Sequence, residues 1–334
     1  MKQPGHKVII TGGAGFMGGH LVDACIARGY SVTVVDNLSV GRRANFSHHE
    51  KSPLFRFLQA SVEETEKLKA CFKGADWVFH FAARTDPLAS LENPLAFHRS
   101  NVEGTLSVLE VARQAGVKRF IYAASSSCYG NSKSKAFTEK SKLNPLHPCA
   151  LTKQMGEAYV LQWCRTYGVP AVSLRYFNVY GPRVGANGAD IRAFAVFLSQ
   201  QLHGKPLTVM GDGEQTRDFI YISDAITATL MAAESAVVGE VFNVASGRAH
   251  SINQLVQLMG AKEVVHLPAR PGNPQHSLGD IRKIQKSLGW EPEVSLAEGV
   301  QRVLKRIEDW RDAPVWTSES VERATAQWSE DWFQ

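Results

Sequence analysis

Lys7-Val8-Ile9-Ile10-Thr11-Gly12-Gly13-Ala14-Gly15-Phe16-Met17-Gly18-Gly19 is the stretch that decides the fold of this chain. Val8 to Ile10 form a short apolar β-branched run of the kind that makes a buried parallel strand. The glycines follow at once. Leu21, Val22, Cys25 and Ile26 then recur at helical spacing, and Gly29 stands where a helix ends. Strand, glycine turn and helix in that order suit the pyrophosphate of a dinucleotide. Glycines at 12, 15 and 18 permit a tight turn, bring backbone N–H groups to the phosphates and let the helix pack close to the sheet. The phosphates then face the positive end of the helix dipole. A second strand, Val32 to Val35, ends in Asp36. A carboxylate there accepts from the adenosine ribose hydroxyls and repels a 2′-phosphate, so the expected cofactor is NAD rather than NADP. The Arg42-Arg43 pair just beyond is the one opposing feature.

Outward from this stretch, strands and helices alternate. Phe55 to Leu58, Trp77 to Phe81, Phe120 to Ala124 and Ala171 to Arg175 read as further strands, and Glu63 to Phe72, 93 to 115 and 149 to 167 as helices. The alternation predicts an α/β fold, a doubly wound parallel sheet of the Rossmann type. Beyond about residue 178 the pattern becomes shorter and richer in glycine and proline. The expected organisation is a cofactor-binding domain over 1–178 with further core elements from about 219–250, a smaller mixed α/β substrate lobe over 179–310, and an acidic tail over 311–334. From Trp310 onward that end carries Trp310, Trp316, Trp328 and Trp332; tryptophans of this kind pack a tail onto the body or onto a second subunit.

Ligands of doubly wound sheets lie beyond the carboxyl ends of the strands. Phe81-Ala82-Ala83-Arg84 and Ser125-Ser126-Ser127 are therefore expected at one crevice. Cys149 and Lys153 fall one turn apart on one helix face.

Composition narrows the function classes. In 334 residues the hydrophobic fraction is 44%, the charged fraction 21% and the net charge +5, with the basic residues dispersed. That is a globular protein with room for a full core and no nucleic-acid surface. No apolar run reaches the length of a membrane span, and a strand begins within six residues of Met1, so neither a membrane anchor nor a secretory signal is expected. Five cysteines, an odd number without metal-ligand spacing, read as reduced thiols in a cytoplasmic protein with no bound metal.

The motifs together resemble the extended short-chain dehydrogenase/reductases, and within them the NAD-dependent epimerase/dehydratase family acting on nucleotide sugars. The pieces that carry the resemblance are Thr11-Gly12-x-x-Gly15-x-x-Gly18, Asp36-Asn37-Leu38-Ser39, His80-Phe81-Ala82-Ala83, Asn101-Val102-x-Gly104-Thr105, Ser125 to Gly130, Arg175 to Arg183, Gly211-Asp212-Gly213 with Thr216 to Phe219, and Arg270-Pro271-Gly272. The resemblance implies that Gly12, Gly15, Phe16, Met17, Asp36, Asn37, Ser39, Ser61, Val62, Phe81, Ala82, Ala83, Asn101, Lys153, Tyr176 and Phe177 line NAD. At the adenine the family often has an aspartate where this chain reads Ala60-Ser61-Val62. It also implies that Arg84, Ser127, Asn178, Phe194, Met210, Arg217, Arg270 and Ser277 hold a UDP-sugar or another nucleotide sugar. The helices over 93–115 and 149–167 would form a four-helix bundle in a homodimer.

The family's catalytic signature is a tyrosine four residues before a lysine, together with a serine or threonine after the fifth strand. Lys153, Ser125 and Ser126 match it; the tyrosine position holds Cys149. A thiol ionises near pH 8.5 against about 10 for a phenol, so it is a chemically adequate base, but it is several bonds shorter. It needs a shifted sugar or a bridging water to reach the same proton. Asp86 is a further candidate base, with a helix cap as its plainer role. The family's 4,6-dehydratases carry an acid pair and its decarboxylases a glutamate in this loop, where this chain has Ser126-Ser127. The resemblance therefore implies a UDP-sugar 4-epimerase, and a small Ser277 beside the C2 substituent suits N-acetylated or uronic hexoses. The alternatives are a dehydratase or 5-epimerase with a displaced base, and a nucleotide-sugar-binding protein with weak or no catalysis.

Overall fold

The computed structural model describes residues 5–131, 136–185, 193–269, 274–311 and 313–325. Its first half is a run of crossover units: β1 (Lys7–Thr11), α1 (Phe16–Ala27), β2 (Ser31–Asp36), β3 (Phe55–Gln59), α2 (Thr65–Phe72), β4 (Trp77–His80), α3 (Pro87–Glu92), α4 (Pro94–His98), α5 (Gly104–Ala115), β5 (Arg119–Ser125), α6 (Pro148–Tyr167) and β6 (Ala171–Tyr176). The second half has β7 (Asn178–Tyr180), α7 (Ala193–Leu202), β8 (Leu207–Met210), β9 (Thr216–Tyr221), α8 (Ile222–Glu234), β10 (Glu240–Val244), β11 (Ala249–Ser251), α9 (Ile252–Met259), β12 (Val264–Leu267), α10 (Arg282–Leu288), α11 (Leu296–Leu304) and α12 (Ser318–Thr325).

Seven strands form one parallel sheet in the order β10-β6-β5-β4-β1-β2-β3. The order reverses at β1, where β4 and β2 lie on opposite sides, and this opens a crevice above the glycine turn. Alternation along the strands divides the core. Val8 and Ile10 of β1 face one apolar layer with α1 and α8, while Ile9 faces the other with α2, α5 and α6. Both faces are covered, which is why these strands read as near-continuous apolar runs. Two small sheets, β11-β9-β7 and β12-β8, lie apart from this one.

The helical stretch expected over 93–115 is real but differently built. Asn93 caps α4 by accepting from Ala96 N at 3.1 Å. The winding then widens into a π turn over Arg99–Glu103 before α5 begins. Sequence periodicity did not reveal α3, which Asp86 caps: its Oδ1 accepts from Leu88 N at 2.8 Å and Ala89 N at 3.1 Å. The short α3 has too few residues for a periodic signal. At the far end Trp310 is fully buried, and its indole N–H donates to Val184 O at 2.8 Å. Trp316 packs against the same core, so this part of the tail covers the body; Trp328 and Trp332 lie outside the described residues.

A buried ion pair ties α6 to the sheet. Arg175 Nε donates to Glu157 Oε2 at 3.0 Å, Ser173 Oγ donates to the same oxygen at 2.8 Å, and Arg175 Nη1 donates to Tyr129 Oη at 2.9 Å. Both charged side chains are about 5% exposed, so removing one strands the other in a medium of low dielectric. Arg175→Met is expected to lower unfolding free energy by about 3–5 kcal/mol in urea titrations. A loss below about 1 kcal/mol would mean that Glu157 finds solvent or protonates instead.

Candidate active site

Three loops meet at the carboxyl edge of the sheet: the glycine turn after β1, the segment after β4 and the segment after β5. Gly12 has φ +72°, and a Cβ on it would lie 2.5 Å from Ala82 N. Gly18 is equally confined, since a Cβ there would collide with Gly12 O. Neither position tolerates a side chain while the turn stays this close to β4 and α1. Gly15, Phe16 and Met17 open α1 and are half-buried at the crevice.

Asp36 ends β2 beside this turn. Its Oδ2 accepts from Ala14 N at 3.0 Å and its Oδ1 from Leu38 N at 2.8 Å. Burial pushes its carboxyl up, while those two donors hold it down. Asn37 and Ser39 are exposed, with Ser39 N donating to Asn37 Oδ1 at 3.0 Å. Of the two arginines beyond, Arg43 is engaged by Glu50 at 2.6 Å and lies over Phe57. Ser61 is half-buried, its N–H donating to Glu64 Oε2 at 2.8 Å, and Val62 is buried.

Beneath the turn, His80 accepts or donates between Thr11 Oγ1 at 2.7 Å and Thr105 Oγ1 at 2.9 Å. Burial drives its imidazole down to about 3, so it is neutral. Phe81, Ala82 and Ala83 follow, half-buried. Asn101, inside the π turn, holds the next segment: its Oδ1 accepts from Arg84 N at 2.8 Å, and its Nδ2 donates to Arg84 O at 2.9 Å and Thr152 Oγ1 at 3.0 Å. Its side chain is spent on positioning that backbone. A π turn at a site is a recurrent association, and the Thr105 bond back to Asn101 O at 2.6 Å supports it.

α6 begins at the same corner. Pro148 fits its first turn, and His147 caps it by accepting from Ala150 N at 3.2 Å. Cys149, Lys153 and Glu157 follow at four-residue spacing and are all buried. Cys149 Sγ lies 3.7 Å from Arg84 O, to which it donates. Lys153 Nζ sits 4.6 Å from the centre of the Tyr122 ring, and no hydrogen-bond acceptor holds it among the described residues. Burial pulls its ammonium down to about 8, while Cys149 and Glu157 oppose that. Ser125 and Ser127 share a hydrogen bond at 2.8 Å after β5 and, with Ser126, are half-buried.

The remaining expected residues divide. Tyr176 turns its phenol away, to Thr229 Oγ1 at 2.6 Å inside the core. Phe177 is buried against Tyr129, Phe137 and Ala245. Asn178 donates to Asp218 O at 3.2 Å, and Arg217 on β9 is half-buried, with burial pulling its guanidinium down to about 10. Ser277 lies beside it, its N–H donating to Thr216 O at 3.2 Å. Phe194 is buried in a stack with Tyr180, centroids 4.4 Å apart, while Met210 at the end of β8 is half-buried. Arg270 lies outside the described residues. Asp86 is held as the cap of α3, with Leu88 N and Ala89 N donating to its Oδ1. Asp218 carries a task that spacing did not reveal. It is fully buried and accepts from Ser246 N and Oγ, Gly247 N and Gly279 N, which ties two loops to β9.

The NAD-dependent epimerase/dehydratase family model matches residues 8–245. The chain belongs to this family. The UDP-glucose 4-epimerase of Mycolicibacterium smegmatis is 33% identical over 307 residues, covering 90% of this chain and 97% of the relative. UDP-glucuronic acid decarboxylase 2 of Arabidopsis thaliana is 33% identical over 91% of this chain and 69% of its own length. The crystal structure of UDP-glucuronic acid 4-epimerase from Bacillus cereus, in complex with UDP-glucuronic acid and NAD, superposes with a TM-score of 0.84. It is 32% identical and covers 90% of this chain and 99% of that one.

NAD is the cofactor of this family, and the residues present fit it. The turn admits no side chain at Gly12, Asp36 keeps lone pairs beyond its two backbone donors, and the buried Lys153 ammonium has hydrogens to give. Lys153→Met therefore has two expected effects. The folded-state pKa of about 8 lies below the ordinary 10.5. Burying the charge thus costs stability in full below about pH 8, and the cost fades as pH rises through the window to 10.5. The variant should be more stable than the parent at pH 7 in urea titrations without cofactor, and the gain should shrink toward pH 10.5. It should also bind NAD about tenfold or more weakly, the loss expected for a charged hydrogen bond, as should Asp36→Ala. Unchanged calorimetric affinity in both variants would remove these two residues from the cofactor site.

Proposed function

We propose that this chain is an NAD-dependent UDP-sugar 4-epimerase acting on N-acetylated or uronic hexoses. The observation that carries this reading is the composition of the reacting corner. A hydrogen-bonded serine pair follows β5, a thiol and a buried ammonium lie one turn apart on α6, and Ser126-Ser127-Cys128 offers no carboxylate to expel a hydroxyl or assist loss of CO2. When bound, NAD would supply reversible hydride transfer at C4 of the sugar. The protein must take the hydroxyl proton, hold the keto sugar while it turns, and give the proton back. Ser125 and Ser127 hold the C4 oxygen. Lys153 would hold the nicotinamide ribose and keep positive charge beside the departing proton. Cys149 accepts that proton through a bridging water, because its side chain is too short to meet the oxygen directly.

In the same reading, Arg217 and Arg270 hold the diphosphate, Phe194 and Met210 flank the uracil, Asn178 binds beside them, and Ser277 leaves space at C2. Residues 1–178 with the later core strands serve the cofactor, 179–310 the sugar nucleotide, and 311–334 form the tail. A homodimer through α5 and α6 is supported by the exposed Leu151 and Tyr167 on α6 and by Leu95 on α4. Five free thiols suit a cytoplasmic setting, and none of the described helices is long and apolar enough to cross a membrane.

Cys149 itself favours a second reading, a protein that binds NAD and nucleotide sugar with little turnover. Incubation with UDP-glucose, UDP-N-acetylglucosamine or UDP-glucuronic acid should give the C4 epimer by NMR, without net NADH. Solvent deuterium at C5 would instead mark a dehydratase or 5-epimerase. If Cys149 relays the proton, Cys149→Ala should lower kcat by about 10²–10⁴ and Cys149→Tyr should not raise it. No interconversion in the parent, with turnover appearing in Cys149→Tyr, would sink the epimerase and leave the binding protein.

A further inference from the structure

On the side of α1 remote from Lys153 lies a cluster that the cofactor and sugar sites do not use. Asp23 projects from α1. His48 and His49 sit in a single 3-10 turn, Ser47–His49, that follows β2. Each imidazole donates its Nε2–H to the same carboxylate oxygen, Asp23 Oδ1, and both distances are 2.8 Å. The other oxygen, Oδ2, is 2.9 Å from Arg183 Nη2. The three donor atoms lie within 4.8 Å of one another. His49 is fixed by packing against Phe55, and the two imidazole rings are 4.1 Å apart.

We propose that Asp23, His48 and His49 form a binding site for a borderline divalent cation, with Zn²⁺ as the best match. The chemistry follows from the donor set. Two imidazole nitrogens and one carboxylate oxygen are what Zn²⁺ takes when three protein ligands leave a fourth position to water. A hard ion such as Mg²⁺ wants mainly oxygen and near-octahedral geometry, and this cluster supplies one protein oxygen. Converging both Nε2 atoms on one oxygen already places them as ligands must be placed. Binding requires each neutral ring to carry its proton on Nδ1 instead of Nε2, which frees both Nε2 lone pairs, and the rings and carboxylate to part slightly around the cation; the half-exposed His48 side chain has room to do so.

Arg183 acts on the site in two opposing ways. Its hold on Oδ2 orients the carboxylate so that Oδ1 faces the histidines, as a supporting partner does around metal ligands. Its positive charge also reduces the attraction for a cation, so the site is of moderate affinity rather than a permanent structural centre. Arg183 Nη1 further donates to Asn45 O at 3.3 Å, and Asn45 Nδ2 donates to Ala14 O at 2.7 Å. The cluster thus abuts the loop that closes over the glycine turn without sharing a residue with it.

The test uses the whole protein, stripped with a chelator and then given Zn²⁺, Co²⁺ or Mg²⁺ alone. The site is expected to take one Zn²⁺ per chain, measured by calorimetry and metal analysis. It should give the visible absorption of low-coordinate Co²⁺ and no heat with Mg²⁺. His48→Gln changes a half-exposed ring and should leave the melting temperature near that of the parent while weakening Zn²⁺ by about tenfold or more. His49→Gln and Asp23→Asn should weaken it at least as much. His20→Gln removes a histidine that bonds Pro182 O outside the set and should leave the affinity unchanged. Absence of Zn²⁺ uptake by the parent would overturn the proposal. So would uptake that His48→Gln and His49→Gln leave intact, since the ion would then sit elsewhere.

Discussion

The constraint on which this molecule depends is the approach of three backbones at the carboxyl edge of the sheet. Gly12 must pass within van der Waals contact of the Ala82 backbone, and Gly18 must let α1 close on Gly12 itself. Side chains are excluded from that junction, so the crevice is built largely of peptide groups. Polar side chains then have to come from the surrounding elements: Asp36 from β2, Asn101 from the π turn, the serines from β5 and Lys153 from α6. The supports of these elements lie one step further out. Thr11, His80 and Thr105 form a chain of hydrogen bonds under the turn, and Glu157 with Arg175 fixes the helix that carries Lys153. The site is rigid because its supports are buried and mutually satisfied.

Much of this could be read in the residues. The apolar β-branched runs before Gly12, Asp36, Phe81 and Ser125 marked strands buried on both faces, and β1, β2, β4 and β5 lie where those four runs fall. Glycine spacing and the carboxylate at 36 pointed to NAD because both features answer a simple steric and electrostatic demand. The thiol at 149 was equally visible, four residues before Lys153. What escaped reading were arrangements that depend on distance in space. Nothing about His80 in a strand-ending run tells that its two nitrogens join Thr11 to Thr105. Asp218 looks like one more acid in a polar turn until four donors converge on it.

The differences have physical causes as well. Tyr176 stands at the end of β6, next to residues of the crevice, yet strand alternation sends its phenol into the core toward Thr229. Asp86 is spent on the first turn of α3, where two backbone N–H groups need an acceptor. Phe194 stacks on Tyr180 within an apolar core, so any contact with a ligand would come from one edge of that stack.

The widened turn at Arg99–Glu103 has a bearing on how such a chain can change. A π turn is an α-helix with one surplus residue held in place. Loss of that residue would restore ordinary winding and leave the turns on either side in register, because the bulge absorbs the surplus within itself. What would be lost is the local placement of Asn101 against the Arg84 backbone and Thr152. The length of this segment is as much a part of the site as any side chain, while the apolar face of α5 does not depend on it.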